Sequence, residues 1–382
     1  MTGHIYRRTR ADGSPTRWYA VLDLPATADG HRRQKTTTHD TKRDAQAWIT
    51  KTSEELRVGD HYDTTILVKD YLTGWLAGKE ALRPATRAEY TRHIQIIFIP
   101  RLGGLRLINL RAHHIEDLFR DLARTPPGHR PVRPQTLRRI LATLHSALAT
   151  AVKRGLIRRN PASTVELARP LRYQAAVWTA DQARTFLRDA TSDELYPAYR
   201  MLLLTGMRRG EAIGLRWSDF HLDEATVTIT RTITTISGQP TIGVPKSDSG
   251  IRTVHLDPET IDMLRARYRI TVLASDPGTD IATSYVFHRD GTFLSPAYVS
   301  RHFTTLTKQL RLPQIRLHDL RHTSASLGLA HGEPLLQVSR RLGHSGIGIT
   351  ADVYAHVTTE AATTAAAALA EQLSTPTERK NA

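Results

Sequence analysis

The sequence predicts a multidomain protein. A small α+β unit of three strands and a helix comes first, an all-α bundle follows, and a mainly α unit with a small antiparallel sheet fills the second half. Three observations carry this expectation. The chain has 382 residues, more than one small core normally organises, so two or three domains are expected. β-prone runs crowd the front, whereas residues 61–165 repeat apolar side chains at helical spacing. Strand-like alternation returns over residues 226–256, inside a stretch that is otherwise helical.

The front unit is placed at residues 1–60. Ile5-Tyr6-Arg7-Arg8, Arg17 to Leu22 and Arg32 to Thr38 are the β-prone runs, with turn signals at Asp12-Gly13-Ser14-Pro15 and Asp29-Gly30. Thr41 with Asp44 three residues on resembles a capping box and starts a helix expected from Lys42 to about Arg57. Residues 1–43 carry nine basic and four acidic side chains. Arg7, Arg8, Arg32, Arg33 and Lys35 sit on the strands, and a basic sheet of this kind can enter a major groove. A solvated basic face is the competing reading.

The helical bundle is placed at residues 61–165. Tyr71, Leu72, Trp75 and Leu76 share one face, and a helix from Thr86 carries Tyr90, Ile94 and Ile97. Ile115, Leu118, Phe119 and Leu122 form another stripe. The clearest helix runs from Pro134 to about Val152, with Leu137, Ile140, Leu141, Leu144 and Leu148 in register. Thr125 to Pro131 reads as a loop. Arg87, Arg92, Arg138, Arg139, Lys153 and Arg154 take polar positions and are candidates for touching DNA, while the apolar stripes are core.

Asn160 to Val177 lacks periodicity and reads as a linker whose arginines, Arg169 and Arg172, are placed to follow a phosphate backbone. The last unit is placed at residues 170–382. Thr179-Ala-Asp-Gln182 starts a helix as a capping box, and another helix closes at Thr205-Gly206. Three strand-like runs follow: Val227 to Ile233, Thr241 to Val244 and Arg252 to Leu256. The remainder is expected to be helical to Leu373, with an alanine-rich stretch from Thr358 and a disordered end.

Bulk composition narrows the function. There are 53 Lys+Arg against 37 Asp+Glu, a net charge of +16, and the pI is about 10.3. Such an excess favours a polyanion, and nucleic acid is the commonest one. The absence of cysteine excludes disulfides, thiolate nucleophiles and cysteine-ligated zinc. No apolar run approaches the ~18 residues of a membrane span. Met1 to Arg8 lacks the apolar core of a secretory signal, so a cytoplasmic protein is expected. Arginine outnumbers lysine 44 to 9, which makes each lysine worth examining.

Chemistry concentrates late in the chain. Leu317-His-Asp-Leu-Arg-His322, Leu342-Gly-His344 and Val353-Tyr354-Ala-His356 read as three consecutive short helices. Upstream, Thr205-Gly-Met-Arg-Arg-Gly-Glu211 adds Arg208, and Val244-Pro-Lys246-Ser-Asp-Ser-Gly250 places a lysine at a turn. A phenol among fixed cations suits attack by a tyrosine oxygen on a phosphodiester, because negative charge then builds on the non-bridging oxygens. Arginine meets that charge with a planar, always protonated fork. Arg209, beside Arg208, reads as a surface residue. His318 and His322 stand one helical turn apart, but no Glu follows His318 as in the zincin motif and no third ligand is evident, so no metal is expected. No phosphate-binding Gly-rich loop ending in Gly-Lys-Ser/Thr occurs, and no cofactor is expected.

In this order these pieces resemble the active site of the tyrosine recombinase (phage integrase) family, most specifically over residues 200–360. The resemblance implies the family's catalytic fold in the last unit, a core-binding domain in the bundle and an arm-binding domain at the front. It places Arg208 and Arg321 on the scissile phosphate, with His318 and His344 as phosphate ligands and Glu211 as an orienting or capping carboxylate. His318 would also assist proton transfer, and His322 would be structural. Tyr354, ten residues after His344, would be the nucleophile, forming a 3′-phosphotyrosine and a free 5′-hydroxyl. Lys246 would be the general acid. The implied partners are double-stranded DNA at core and arm sites, three further copies in a tetramer, and an excisionase or DNA-bending protein. A type IB topoisomerase-like enzyme and a non-catalytic DNA-binding regulator on the same scaffold are the alternatives.

Overall fold

The computed structural model describes residues 3–9, 15–24, 33–57, 65–124, 131–170, 175–245, 248–348, 351 and 370. The chain divides into two compact units, residues 1–171 and 172–382.

In the first unit the three expected strands form at Gly3–Thr9 (β1), Pro15–Leu24 (β2) and Arg33–His39 (β3). They make one antiparallel sheet in that order. Ile5 opposes Ala20 and Leu22 opposes Lys35, so alternation sends Ala20 and Leu22 to one face. That face packs on Ala45 and Ile49 of helix α1, Lys42–Arg57. The helix starts as the sequence expects, since Thr41 Oγ1 accepts from the Asp44 amide at 3.1 Å and donates to its carboxylate at 2.8 Å.

The basic strand residues do not share one face. Arg7 lies over Trp18 at 5.4 Å and Lys35 over Trp48 at 6.0 Å, at the rim of the side that α1 covers. Arg8 lies over Tyr6 and Tyr19 at 5.6 and 5.3 Å. Those two rings stack 5.2 Å apart on the opposite face. Arg32 lies outside the described residues, and Arg33 is described by its backbone alone.

A second apolar core in this unit belongs to α2 (Val68–Ala77), α3 (Pro84–Arg92), α4 (Ile99–Leu102), α5 (Ala112–Ala123) and α6 (Pro134–Lys153). Tyr71 and Trp75 reach across to α6, donating to the Ala147 carbonyl at 2.6 Å and to Thr150 Oγ1 at 3.1 Å. The helix expected from Thr86 begins at Pro84 and widens into a π-turn at His93–Phe98. Pro100 supplies the reason: it has no N–H for the Ile96 carbonyl and its ring crowds that oxygen. The Ile99 amide accordingly bonds five residues back, to Ile94.

Two of the bundle's candidate DNA contacts have structural partners. Arg87 donates to the carbonyls of Leu76 and Lys79, closing the end of α2. Arg139 pairs with Glu89 at 2.5 Å. Arg138 is exposed, and Arg172 lies outside the described residues.

The second unit is mainly helical. Its helices are α7 (Ala180–Asp189), α8 (Tyr196–Thr205), α9 (Arg209–Ala212), α10 (Pro258–Leu273), α11 (Pro296–Gln309), α12 (Asp319–Ala330) and α13 (Leu335–Leu342). Thr179 and Gln182 make the expected reciprocal cap on α7. Trp178, Phe186, Tyr199 and Phe303 form the aromatic centre, with the Phe186 and Phe303 rings edge to face at 5.8 Å.

The strands depart from expectation in a way that matters for the site. Phe220–His221 (β4), Thr226–Ile229 (β5) and Arg252–His255 (β8) form one sheet, whereas Thr232–Ile236 (β6) and Gln239–Gly243 (β7) form another. The run from Val227 to Ile233 breaks at Thr230-Arg231, because the Arg231 guanidinium turns in to the buried carboxylate of Asp219 and a buried carboxylate needs a cation. Gln239–Gly243 and Arg252–His255 therefore belong to different sheets. A further two-stranded ribbon pairs His288–Arg289 with Thr292–Phe293.

Lys246, the third helix expected around Tyr354 and His356, and the alanine-rich stretch from Thr358 lie outside the described residues. Among the described residues no helix is long and apolar enough to cross a membrane.

Candidate active site

Two helices of the second unit end alike, and each end holds an arginine. α8 stops at Gly206 (φ 66°) and α13 at Gly343 (φ 68°), both in the left-handed conformation that glycine tolerates best. Arg321 Nη1 donates to the Gly206 carbonyl at 2.7 Å, and Arg208 Nη2 to the Gly343 carbonyl at 3.2 Å. A helix C-terminus carries partial negative charge, so it suits a guanidinium. Neither turn has room for a side chain: a Cβ on Gly206 would stand 2.4 Å from Leu342 Cδ2, and one on Gly343 2.8 Å from the Ser249 carbonyl.

Arg208 precedes α9, and Glu211 opposes it within the same turn. Glu211 Oε2 accepts from the Arg208 amide at 2.9 Å, and Oε1 accepts from Arg208 Nη1 at 2.7 Å. Glu211 thus closes the turn before α9 and holds the Arg208 guanidinium. Arg252 completes the arrangement. Its Nη2 donates to Glu211 Oε2 at 2.9 Å, its Nε to the Arg341 carbonyl at 2.6 Å and its Nη1 to the Gly250 carbonyl at 3.1 Å. Glu211 is 1% exposed. Burial would raise its pKa, but the charges and hydrogen bonds of Arg252 and Arg208 outweigh that and hold the carboxyl below its usual range.

Arg209 is not a surface residue. It is half-buried, donates to Ser300 Oγ, and burial lowers its pKa from the ordinary arginine value.

His318 immediately precedes α12 without a capping bond from its side chain, and Arg321 lies one turn in, 4% exposed. Asp319, fully buried, accepts from Arg316 at 2.8 Å and from its backbone amide at 2.9 Å, which fixes the turn that delivers His318. The His318 and His322 rings meet edge to face at 5.4 Å. His318 as a residue is exposed, yet protein packs close enough around its ring to disfavour the charged form. With the positive neighbours His322 and Arg321 this brings its pKa down to about 4. His344 is also brought to about 4, by burial first and then by Arg321, Arg208, His322 and Arg252. His322 moves in the same direction, chiefly through burial.

The structure thus gathers Arg208, Glu211, Arg321, His318 and His344 from segments more than a hundred residues apart in sequence. Arg208, Arg209 and His318 line a cleft of about 940 Å³ together with Thr232 to Thr235, Ser300 and Thr304. Permanent cations beside neutral imidazoles make a site for an anion: the arginines supply charge, and each imidazole is able to donate one N–H or accept a proton. Lys246 and Tyr354 lie outside the described residues. Arg252 was not singled out in the sequence, where one strand-edge arginine among 44 carries no signal.

Residues 177–361 match the model of the phage integrase family. The ICEBs1 integrase of Bacillus subtilis is 27% identical over 58% of the chain and 62% of its own length, so the chain spans just under two thirds of that relative. An integrase of Streptomyces ambofaciens is 29% identical over 91% of the chain and 93% of its own length. Among solved structures, the Tn1549 transposon integrase in complex with a circular intermediate DNA superposes with a TM-score of 0.67 at 20% identity. That match covers 80% of this chain and all of the other, and it is a likeness of fold.

Proposed function

We propose that the chain, whose residues 177–361 match the phage integrase family and which is similar to an integrase of Streptomyces ambofaciens over most of its length, is a site-specific DNA recombinase of a mobile element with Tyr354 as its nucleophile. The Tyr354 phenol passes its proton to the neutral imidazole of His318 as its oxygen attacks the scissile phosphorus. A tyrosyl–phosphorus bond forms, the bond to the 5′-oxygen breaks, and that oxygen leaves with a proton from Lys246. Attack by a 5′-hydroxyl from the partner duplex reverses the steps and joins exchanged strands. The phosphodiester's energy stays in the covalent link, so no nucleotide is consumed.

The other residues divide the load. Arg208 and Arg321 hold the non-bridging oxygens, where charge rises in the transition state. His344 and His318 donate hydrogen bonds to the same phosphate, and His318 stands ready as a second proton carrier. The observation that carries this reading is the convergence of Arg208 and Arg321 on neutral His344. A phosphodiester is the anion that such a site fits in a DNA recombinase.

The working unit follows from the chemistry. Exchange between two duplexes takes four strand cleavages, one nucleophile each, and hence four copies of the chain on paired core sites. Residues 61–165 grip the core site and residues 1–60 an accessory arm site, and an excisionase or a DNA-bending protein sets the direction. All of this takes place on DNA in the cytoplasm.

The test is Tyr354→Phe, which keeps the ring and removes the hydroxyl. On nicked suicide DNA the wild-type chain accumulates a covalent adduct. The variant should bind the same DNA and form none. Adducts at the wild-type level would transfer the attack to another residue.

A further inference from the structure

We propose that Arg252 is a positioning residue that sets Arg208 and His344 for the phosphate by tying three segments of the second unit together. The proposal rests on the reading of Arg208 and His344 as phosphate ligands, and it assigns their alignment to a side chain outside that set.

Each of the three hydrogen bonds from the Arg252 guanidinium ends on a different segment. Nη2 takes Glu211 Oε2, and the other oxygen of Glu211 takes Arg208 Nη1. Nε takes the carbonyl of Arg341 at the end of α13, two residues before Gly343, whose own carbonyl receives Arg208. Nη1 takes the carbonyl of Gly250, in the link that carries Lys246. Arg208 and Arg252 therefore share one carboxylate and grip carbonyl groups two residues apart at one helix end. The side chain of Arg252 is 8% exposed and that of Glu211 1%, so water does not compete for these bonds.

Charge explains why a guanidinium is needed. Arg208 delivers its charge to the phosphate while it is paired with Glu211, and a carboxylate serving Arg208 alone would cancel it. Arg252 supplies the second positive charge that neutralises Glu211 and leaves the cluster net cationic. A lysine keeps the charge but presents a compact ammonium in place of the planar fork. It is unable to span three acceptors spaced for a guanidinium.

The experiment compares wild type, Arg252→Lys, Arg252→Ala, Arg208→Ala and the Arg252→Ala/Arg208→Ala double variant in single-turnover adduct formation. Each is run on suicide DNA with an ordinary scissile phosphate and on DNA with a methylphosphonate there, which lacks one negative oxygen. Wild-type adducts that vanish in Tyr354→Phe establish the parent reading separately. Arg252→Ala is expected to cleave ordinary DNA about a hundredfold more slowly while binding it nearly as well, a size typical of losing one fixed electrostatic partner. The double variant should be no slower than Arg208→Ala alone. The methylphosphonate should recover most of the loss in both single variants, because less charge then needs neutralising. Arg252→Lys should fall between wild type and Arg252→Ala.

Additive losses in the double variant would overturn the proposal, since Arg252 would then act apart from Arg208. Equal losses on both DNAs would overturn it too, since a damaged fold is not rescued by changing the substrate. If Arg252→Ala fails to fold, the comparison passes to Arg252→Lys and Glu211→Gln, which break the same pairing and are held to the same two criteria.

Discussion

Arg321 reaches back 115 residues to donate to the carbonyl of Gly206 at 2.7 Å. One contact thereby fixes the second arginine of the site to the turn that presents the first. That turn depends on glycine, because φ is 66° and a Cβ would meet Leu342 Cδ2 at 2.4 Å. Gly206→Ala is predicted to cost about 1–3 kcal/mol from backbone strain alone, with the clash against α13 in addition. It should also tilt the carbonyl away from Arg321. Thermal unfolding should show a lower midpoint, and adduct formation should fall even at temperatures where the variant is folded. A variant as stable and as active as wild type would show that the turn is not needed.

The three histidines predict how stability depends on pH. His318 and His344 are held near 4 and His322 is shifted the same way, whereas histidine in an unfolded chain titrates near 6.5. As pH falls below about 6.5 the unfolded chain takes up protons first. The stabilisation is therefore complete above that pH and is lost as pH drops toward 4. The groups facing these rings are Arg208, Arg252, Arg316 and Arg321, with Asp319 opposing them. Bound phosphate offsets those positive charges and raises the histidine pKa values, so DNA binding near pH 6 should take up protons. Calorimetry in two buffers of different ionisation heat measures this directly. Binding with no net proton uptake at that pH would contradict the placement of the phosphate beside His344.

Much of this was legible in the sequence, and the failures have physical causes. The three strands and α1 were readable because alternation, turn residues and a capping box agree over residues 3–57. Motif and spacing singled out Arg208, Arg321 and His344, and the fold brings these three together. The break at Thr230-Arg231 was not, because nothing local announces that Asp219 is buried and needs Arg231. The strand order was hidden for a related reason: it depends on pairing between distant segments, and alternation says only that strands exist. Arg252 was invisible for the same reason. Its acceptors at Glu211, Gly250 and Arg341 are assembled by the fold.

The front unit carries its own prediction. Arg8 lies over the stacked pair Tyr6 and Tyr19, on the sheet face away from α1, while Arg7 and Lys35 sit beside tryptophans at the rim of the covered face. Deleting residues 1–60 should abolish binding to arm sites and spare cleavage of a minimal core site. Integration should drop more steeply than core affinity, because two linked modules raise effective concentration. Arg8→Ala alone should weaken arm binding and lower its salt slope by roughly one. Unchanged affinity for all DNA flanking the core, measured by gel shift, would remove the arm-binding assignment.

Lys246 provides the sharpest chemical prediction. Beyond residue 170 the chain has three lysines, Lys246, Lys308 and Lys380, and Lys308 is exposed on α11. The link that carries Lys246 is closed at its base: a Cβ on Gly250 would stand 2.4 Å from Pro245 Cβ, and the Gly250 carbonyl receives Arg252. A lysine in a chain that otherwise favours arginine fits a proton donor, because an ammonium pKa shifts toward neutrality far more readily than that of a guanidinium above ~12. A simple phosphate contact would instead weaken binding and leave the chemistry intact. DNA with sulfur at the 5′-bridging position separates the two, since a thiolate departs without protonation. Lys246→Ala should be about 10²–10⁴-fold slow on ordinary DNA and nearly normal on the sulfur substrate. If sulfur restores nothing, Lys246 is not the acid. The role would then pass to His318, whose ring lines the cleft beside Arg208.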